Sequence, residues 1–465
     1  MDVSLIEELA QRVGRDRVTS GADINPDDLH DESLHLRRRT PLAVVRPRTT
    51  ADVVEIARFA SEHAVPIVPR GSGTGLSGAA TPVDGGLVVA FSEMNALKVV
   101  NERDHVAVVE PGITLRELES ELAPSALQYP VYPGEMSGSL GGNISTNAGG
   151  MRAVRHGVTR QHVLGLEVVL VDGTVLRTGG SVVKVSSGYD LTQLIVGSEG
   201  TLAMVTEITL KLSPRLSSRA TILVPFATLD EVTEVVPTII SSGLFPSILE
   251  YLDRLTMASV TSRVGLDLGI PSEIVDATFA YLVIVLETRT PEQLNSDVEA
   301  IGQLLGDAGA LDTYLLPAGA GARLIEAREQ LFWASKDAGV NDIIDIVVPR
   351  SAVPQFLADV TRIAQRFASF VGGCGHVGDG NVHLAVVQRD DAIRQALLDE
   401  LFARGVALGG AVSGEHGIGI DKQRPFLALS DPNSLSLQRA IKAVFDPRAL
   451  LNPYRLLDDR KANAN

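Results

Sequence analysis

A chain of 465 residues is too long for one hydrophobic core and predicts two or three domains. Its 45% hydrophobic and 21% charged residues are typical of a folded globular protein and exclude a disordered one. The net charge of −16 gives no general attraction to nucleic acid or to an anionic membrane, and the single cysteine excludes an internal disulfide, a cysteine-rich zinc site and an iron–sulfur cluster carried by this chain.

The first residues, MDVSLIEELAQRVGRDRV, are acidic and amphipathic and lack the basic region and apolar run of a secretory signal. The longest strongly apolar stretch, around 277–286, has about ten residues, roughly half of what a membrane helix requires. We therefore expect a cytoplasmic protein without a membrane span and without a nucleic-acid partner.

Strand and helix patterns alternate in the first third of the chain. LAVVRP near residue 42 and PIVP at 66–69 predict strands, with a helical pattern of apolar residues between them. HVAVVEP at 105–111 predicts another strand, and Thr114 with Glu117 forms the capping box of a following helix. This order is typical of an α+β or α/β nucleotide-binding unit.

The middle of the chain changes first in composition and then in the order of its predicted elements. Residues 133–150, PGEMSGSLGGNISTNAGG, are so rich in Gly, Ser and Asn that we expect a long ligand-facing loop, followed by a β-hairpin with its turn at Asp172-Gly173. After Pro214 the predicted elements follow the order β-α-β-β-α-β, which is the ferredoxin-like pattern. A helix in the tail should end before Pro447, and only the last few residues are expected to be disordered.

A first glycine-rich loop, VPRGSGTGLSG at 68–78, follows a predicted strand. Its glycine amides, hydroxyl side chains and one arginine suit a pyrophosphate, and the candidates are Arg70, Gly71, Ser72, Gly73, Thr74 and Gly75. The spacing differs from the GxGxxG of a Rossmann unit, because Gly85-Gly86 and a strand follow instead of a helix. A flexible surface turn is therefore the alternative for this segment alone.

Two further elements favour a ligand. The second loop offers Gly142, Asn143, Asn147 and Gly149, whose backbone and amide groups suit an isoalloxazine edge or a ribityl chain. The third, VGSEGTLAMVTEITLKL at 196–212, places Glu199 between glycines ahead of a strand. Together the three elements indicate an extended dinucleotide that crosses several loops.

These ordered segments resemble FAD-linked oxidoreductases of the vanillyl-alcohol oxidase and p-cresol methylhydroxylase type, in the branch of D-lactate dehydrogenase, the glycolate oxidase FAD-binding subunit and D-2-hydroxyglutarate dehydrogenase. The matching segments are PLAVVRPRTTADV, PRGSGTGLSG, GGNISTNAGG, VLGLEVVLVDGTVL, GSEGTLAMVTEITL, GHVGDGNVH, SGEHGIG and DPRALLNPY. The resemblance implies an α+β fold with a two-part FAD-binding domain of the p-cresol methylhydroxylase type at 1–215. A ferredoxin-like cap that binds substrate would occupy 216–410, and a C-terminal helical return at 411–465 would complete the active site.

The resemblance also implies what the loops hold. Gly71 to Gly75 would cradle the FAD pyrophosphate, and the flavin and its tail would lie along Gly142, Asn143, Asn147, Gly149 and Glu199. Some relatives attach the flavin through a histidine of the first glycine loop, but residues 71–78 contain none. We therefore expect noncovalent FAD.

The motifs GHVGDGNVH and SGEHGIG carry His376, His383, Glu415 and His416. Two imidazoles and a carboxylate suit Zn²⁺, with Mn²⁺ or Fe²⁺ as alternatives, but neither motif identifies a metal by its spacing. Histidines satisfied by hydrogen bonds in a glycine-rich turn are the other interpretation. The resemblance implies that His376, His383 and Glu415 are metal ligands.

His416 is the natural general base, because imidazole titrates near neutral pH, and the resemblance implies the same role. The alternative is a residue that only orients Glu415. In the predicted reaction the metal polarises the substrate hydroxyl, His416 takes its proton, and the C2 hydrogen passes as hydride to flavin N5. Asn381 is expected to hydrogen-bond the substrate or a water at the metal, and Cys374 to be a buried small residue.

Arg328, in EAREQLFWASKD, is a candidate to bind the substrate carboxylate, the alternative being an exposed arginine paired with Glu326 or Glu329. The hydroxyglutarate enzymes have a threonine and a lysine beyond this arginine, where an ungapped count here finds Phe332 and Ile343. This difference disfavours a dicarboxylate and favours D-lactate or another apolar 2-hydroxy acid.

Two other functions stay open at this point. A metallohydrolase would use the same histidines, but it has no use for the glycine loops. An FAD-binding subunit that works only in a glycolate oxidase-type complex is the second. Either flavoenzyme needs an external electron acceptor, which the resemblance leaves open among a quinone, a cytochrome, an electron-transfer flavoprotein and an iron–sulfur subunit. A homodimer is also compatible with the sequence.

Overall fold

The computed structural model describes residues 2–35, 37 and 39–458; the predicted disorder of the last residues falls mainly on 459–465, outside this part. The helices are α1 Asp2–Val13, α2 Thr50–His63, α3 Leu115–Glu121, α4 Leu140–Thr146, α5 Ala153–His156, α6 Leu191–Ile195, α7 Leu229–Ser241, α8 Arg254–Arg263, α9 Ser272–Ala277, α10 Pro291–Asp307, α11 Ala318–Glu329, α12 Leu331–Asp337, α13 Val353–Arg366, α14 Asp391–Ala407, α15 Gln423–Leu429 and α16 Pro432–Phe445.

The strands are β1 Val18–Thr19, β2 Ala43–Val45, β3 Ile67–Arg70, β4 Leu87–Ala90, β5 Leu97–Asn101, β6 Val106–Val109, β7 Leu127–Gln128, β8 Val163–Val169, β9 Val175–Gly179, β10 Met204–Lys211, β11 Ser213–Pro214, β12 Ser218–Phe226, β13 Ile248–Asp253, β14 Ala280–Thr288, β15 Tyr314–Leu316, β16 Asp342–Val347, β17 Phe370–His376 and β18 Asn381–Val387. Short 3-10 turns lie at Arg15–Arg17, Gly21–Asp23, Pro26–Leu29, Phe91–Glu93, Thr159–Gln161 and Arg350–Ala352.

The N-terminal half contains two main sheets with separate cores. A four-stranded sheet has the order β1-β2-β4-β3, and its core includes the buried face of α2. A five-stranded antiparallel sheet has the order β5-β6-β10-β8-β9 and packs against α3 and α4. The predicted hairpin over Asp172-Gly173 is confirmed as β8 and β9.

The C-terminal half is built on one seven-stranded sheet of order β15-β12-β14-β13-β17-β18-β16. Its first four strands have the 4-1-3-2 order of a ferredoxin-like unit, as the sequence predicts. One face of the sheet packs on α7, α10, α13 and α14, while the other contacts α8 and α11. Side chains alternate along a strand. Leu384 of β18 therefore packs in the core formed with α7, α10, α13 and α14, while its neighbours His383 and Ala385 point to the opposite face of the sheet.

One expectation is wrong. The segment 133–150 is not wholly irregular, because Leu140–Thr146 forms helix α4. The side-chain oxygen of Ser139 accepts from the Gly142 amide at the N-cap, and Asn147 ends the helix in a left-handed conformation. Leu140 and Ile144, four residues apart, are the apolar pair that anchors this short helix in the core.

None of the helices in the described part of the chain combines the length and the apolar composition that crossing a bilayer requires.

Candidate active site

The glycine loops meet in a first cavity of about 210 Å³ between the two N-terminal sheets and the SGEHGIG segment. Nine of the eleven candidates from the sequence line it, namely Arg70, Gly71, Ser72, Gly73, Thr74, Gly75, Gly142, Asn143 and Glu199. Asn147 and Gly149 are outside its lining. The sequence therefore predicts most of this wall, although its parts are far apart along the chain.

Close packing explains why the first loop needs glycine. A Cβ on Gly71 would stand 2.1 Å from Ser139 Oγ, the atom that also accepts from the Ser72 amide at 3.2 Å. Gly73 has φ +78, and a Cβ there would meet the Arg70 guanidinium. That guanidinium donates to the carbonyls of His30 and Asp27, so it secures the N-terminal segment behind the loop.

Polar groups in the first cavity lack partners that a nucleotide would supply. Asn143 Nδ2 and Asn452 Oδ1 are buried without a hydrogen-bond partner among the described residues. Asn452 Nδ2 donates to the Glu199 carbonyl at 2.7 Å, so the C-terminal segment forms part of the wall. A buried amide group without a hydrogen-bond partner destabilises the protein unless a ligand supplies one. The two side chains therefore fit a polar ligand such as a dinucleotide.

Glu199 organises the loop that carries the histidine motif. Its carboxylate is buried and accepts from the amides of Ile418 and Gly419, each at 2.7 Å. Burial raises the pKa of Glu199, and the two amides oppose that rise. The residue thus joins the first cavity to SGEHGIG, a link that the sequence does not indicate.

Two predicted flavin contacts have other neighbours. Asn147 caps α4, and its side-chain oxygen accepts from the Arg160 amide at 2.9 Å. Gly149 lies against the histidine motif, because a Cβ there would stand 3.1 Å from Glu415 Oε2. Gly149 therefore leaves room for the Glu415 carboxylate.

His376, His383 and Glu415 converge from β17, β18 and the SGEHGIG loop. The two Nε2 atoms each lie 3.3 Å from Glu415 Oε1, and the three ligand atoms fall within 4.8 Å of one another. Ligands of a tetrahedral Zn²⁺ stand roughly 3.3 Å apart, given bond lengths of about 2.0–2.2 Å. Glu415 Oε2 is buried with no partner in the described part of the chain. These residues fit a divalent metal in donor type and spacing.

A buried carboxylate that sequence reasoning missed stands behind this cluster. Glu250, on β13, receives a hydrogen bond from His376 Nδ1 through Oε1 and from Arg328 Nε through Oε2 at 2.9 Å. Burial alone would raise the pKa of Glu250, but the charges of His376 and Arg328 outweigh it and hold the pKa at about 2. A metal-binding histidine commonly donates its second ring nitrogen to a carboxylate in this way.

Only 13% of the Arg328 side chain is exposed, and it pairs with Glu250, so the alternative of an exposed arginine paired with Glu326 or Glu329 is wrong. Its Nε is held by Glu250, while Nη2 is buried and has no partner among the residues that the structure describes. Arg328 and the cluster of His376, His383 and Glu415 line a second cavity, of about 160 Å³. A guanidinium fixed at one nitrogen with another free is arranged to bind an anion.

His416 lines both cavities. Its ring stacks on His383, with centroids 5.2 Å apart and planes 22° apart. Burial lowers the pKa of His416 to about 4, against the effect of the Asp345 charge. Nδ1 has no hydrogen-bond partner within the described residues. The lowered pKa favours the neutral imidazole, and the nitrogen without a partner is free to accept a proton.

Asp345 is the second residue that sequence reasoning missed. Its buried carboxylate accepts from the amides of Glu415 and His416, each at 2.8 Å, and from Lys422 Nζ at 2.5 Å. Burial opposes its ionisation, but His416 and Lys422 hold the pKa of Asp345 below its usual value. By binding both amides, the Asp345 carboxylate holds the backbone of Glu415 and His416 in one orientation.

The other two predictions in this region differ in outcome. Asn381 begins β18 beside Gly414, and its Oδ1 is buried without a partner among the described residues, but it is outside the lining of both cavities. Cys374 is buried in an apolar cluster, as expected, and burial raises its pKa to about 12. Both Phe332 and Ile343 line the second cavity.

The N-terminal and C-terminal halves of the chain each match a known protein family. The family described as FAD binding domain matches residues 41–179, and FAD linked oxidases, C-terminal domain, matches 215–456. The p-cresol methylhydroxylase structure with substrate bound has a TM-score of 0.78 at 18% identity, covering 98% of this chain and 97% of that one. The predicted p-cresol methylhydroxylase-type fold is confirmed.

Relatives match over almost the whole chain. An uncharacterized FAD-linked oxidoreductase of Mycobacterium tuberculosis is 49% identical over 96% of this chain and 97% of its own. A glycolate oxidase subunit GlcD of Bacillus subtilis is 37% identical over 90% of each. A D-lactate dehydrogenase of Anaerostipes hadrus is 32% identical over 97% of this chain and 96% of its own.

Proposed function

The chain belongs to the FAD-linked oxidoreductases, and from this membership we propose that it is an FAD-dependent dehydrogenase that oxidises a D-2-hydroxy acid to the 2-oxo acid. One observation carries the proposal: His416 lines both the first cavity, which the glycine loops form, and the second cavity, which contains Arg328 and the His376–His383–Glu415 cluster. The names of relatives, glycolate oxidase subunit and D-lactate dehydrogenase, support this substrate class.

Each residue of the second cavity has one task in this proposal. Arg328 binds the substrate carboxylate through its free Nη2. His416 takes the hydroxyl proton as the C2–H bond breaks. His376, His383 and Glu415 would hold a divalent metal, Zn²⁺ in our proposal with Mn²⁺ or Fe²⁺ as alternatives. The chemistry that the bound groups supply is Lewis acidity towards the hydroxyl from the metal and hydride acceptance at N5 from FAD.

The oxidation releases two electrons, and a single cysteine leaves this chain without the ligands for an iron–sulfur cluster of its own. The electrons must therefore pass to an external acceptor, for which we propose a quinone, cytochrome, electron-transfer flavoprotein or iron–sulfur subunit. The second candidate function, an FAD-binding subunit of a glycolate oxidase-type complex, is favoured by the GlcD relative. A D-2-hydroxyglutarate dehydrogenase is a weaker alternative, because Phe332 and Ile343 line the second cavity.

A screen of D- and L-2-hydroxy acids with an artificial dye as acceptor tests the proposal on the isolated chain. A self-sufficient dehydrogenase should reduce the dye with D-acids. A chain that reduces its flavin but not the dye until a second subunit is added would be the obligate subunit. Failure of every 2-hydroxy acid to reduce flavin or dye would contradict both functions.

FAD should leave the denatured protein completely. Residues 71–78 contain no histidine, and His416 is the only His, Cys or Tyr among the described residues that line the first cavity. Acid precipitation should release all the flavin into the supernatant, as measured by its absorbance. Flavin retained on the denatured wild-type chain would contradict the prediction, and its release from His416→Gln would identify His416 as the point of attachment.

Replacing Arg328 with methionine should lower kcat/KM roughly ten- to a hundredfold, because a charge-assisted bond to an anion contributes about 1.5–3 kcal/mol. The measurement is steady-state dye reduction with several 2-hydroxy acids. Arg323→Met is the matched control, since Arg323 is on the same helix and exposed. Equal kcat/KM for both variants and the wild type would remove Arg328 from the substrate site.

Replacing His376 or Glu415 with alanine should lower metal content and activity together while FAD stays bound. Losing a ligand should weaken metal binding by at least the roughly 10–100-fold that loss of a supporting partner costs. Metal analysis and flavin absorbance on the same samples give both quantities. His105→Ala is the control, because His105 is exposed, lies outside the lining of both cavities and belongs to neither group of possible metal ligands in the described part of the chain. Full activity of wild-type protein after thorough chelation would contradict the metal role.

A further inference from the structure

The lining of the second cavity combines polar and apolar side chains. Beside Arg328 and the cluster of His376, His383 and Glu415 it has an apolar part, which includes Leu76, Met151, Leu331, Phe332, Trp333 and Ile343. Of the described residues that line it, Arg328 is the only lysine or arginine. The site therefore has one cation for one carboxylate and an apolar surface for whatever extends from C2.

The aromatic part of this wall is held in place. The rings of Phe332 and Trp333 meet edge to face with centroids 5.2 Å apart. The Lys336 ammonium lies 5.8 Å from the first ring and 5.1 Å from the second, and it pairs with Glu32 at 2.7 Å. Contacts of this kind favour one orientation of the two rings, of which Phe332 is half-buried and Trp333 is 38% exposed.

Carboxylates at the same cavity act against a second acid group on the substrate. Glu32, Glu135 and Glu329 are all in the lining. Glu32 is neutralised by Lys336, and Glu329 accepts a hydrogen bond from the Tyr132 hydroxyl. A second carboxylate on the substrate would find no lysine or arginine in the lining beyond Arg328 and would have to compete with Glu32 for Lys336, so its binding is disfavoured.

The size of the cavity sets the scale of the side chain. It encloses about 160 Å³, which holds the carboxylate and C2 of the substrate as well as its side chain; for scale, an apolar cavity of roughly 150 Å³ is large enough for benzene. The methyl group of lactate would leave most of the apolar wall uncovered. A branched aliphatic or aromatic side chain matches both the volume and the chemistry.

We propose that the enzyme prefers D-2-hydroxy acids with large apolar side chains, such as D-2-hydroxy-4-methylpentanoate and D-3-phenyllactate, over D-lactate and over dicarboxylates. The inference rests on the proposed function and names the substrate class of that same site. Each methylene buried against an apolar wall strengthens binding about fourfold. The preference over D-lactate should therefore reach at least about tenfold in kcat/KM.

The kinetic test uses the FAD-loaded protein with D-lactate, D-2-hydroxy-4-methylpentanoate, D-3-phenyllactate and D-2-hydroxyglutarate, with dye reduction as readout. The two large apolar acids should have the highest kcat/KM and D-2-hydroxyglutarate the lowest. D-lactate equal to or better than the large acids would overturn the inference while leaving the dehydrogenase function intact. Reduction by none of them would instead contradict the proposed function.

A binding test avoids turnover. Trp333 is the only tryptophan of the chain and lines the second cavity, so a ligand bound there should change its fluorescence. Titration with 4-methyl-2-oxopentanoate should saturate at least about tenfold below the concentration that pyruvate requires. Equal affinity for the two oxo acids would overturn the inference.

Two variants test whether the apolar lining of the second cavity determines the preference for large side chains. Phe332→Ala should reduce the ratio of kcat/KM for 2-hydroxy-4-methylpentanoate over lactate several-fold, and Ile343→Ala provides the same test from β16. Phe370→Ala is the control, because Phe370 is half-exposed and outside the lining of either cavity. An unchanged ratio in a folded Phe332→Ala or Ile343→Ala protein would place the specificity elsewhere.

Discussion

Replacing His416 with glutamine should slow flavin reduction by about 10²–10⁴-fold, the usual contribution of a positioned general base. The glutamine amide keeps much of the size of the ring but cannot accept the hydroxyl proton. FAD and metal should both stay bound, because the glycine loops and the three candidate ligands are unchanged. Stopped-flow bleaching of the flavin band, beside metal analysis, measures all three quantities.

The alternative role for His416, orienting Glu415, makes a different prediction. In that case His416→Gln would lose metal in parallel with rate. His105→Gln is a control for the general effect of removing an imidazole, since His105 is exposed, outside the lining of both cavities and in neither group of possible metal ligands among the described residues. A His416→Gln protein that reduces its flavin at the full rate would contradict the base assignment altogether.

Replacing Glu250 with glutamine should destabilise the protein by about 3–5 kcal/mol, because it leaves the buried Arg328 without its counter-charge and removes the ionised acceptor of His376. The free energy of unfolding in urea measures the loss. The same variant should raise KM and weaken metal binding, since Glu250 positions both the arginine and a candidate ligand.

Glu326→Gln is the matched control, because Glu326 is exposed on α11 and its replacement should change stability by no more than about 0.5 kcal/mol. A Glu250→Gln protein with unchanged stability and unchanged metal affinity would show that the interactions of Glu250 with Arg328 and His376 contribute neither to stability nor to metal binding. Loss of stability with normal metal affinity and KM would limit Glu250 to a structural role.

Local signals in the sequence predict much of the fold. The capping box of Thr114 and Glu117 is present in the structure, as is the hairpin turn at Asp172-Gly173. Both are encoded by residues a few positions apart. Helix α4 escaped prediction because its Gly, Ser and Asn residues have weak helix propensity, and its stability comes from the N-cap and from burial.

The candidate site divides in the same way. His376, His383 and Glu415 are in short motifs that a sequence displays directly. Glu250 bonds a histidine 126 residues away, a pairing that only the sheet creates. A signal was present, because Glu250 interrupts the buried strand ILEYLD, and a carboxylate among apolar strand residues needs a buried partner. Asp345 in DIIDIV carries the same signal.

Other expectations stay predictions. The domain boundaries at 215 and 410, a cytoplasmic location, a homodimer and the identity of the electron acceptor depend on experiments on the whole protein. The individual roles of the cavity residues also stay predictions, because they require a bound substrate to test.

The central claim is hydride transfer from a D-2-hydroxy acid to the bound flavin, and anaerobic mixing of the FAD-loaded protein with matched D- and L-enantiomers tests it most directly. No acceptor is present, so the result does not depend on a partner. The account predicts that the D-acid bleaches the flavin band with formation of one 2-oxo acid per flavin, while the L-acid does not. A flavin that stays oxidised with every D-2-hydroxy acid, or that both enantiomers bleach equally, would contradict it.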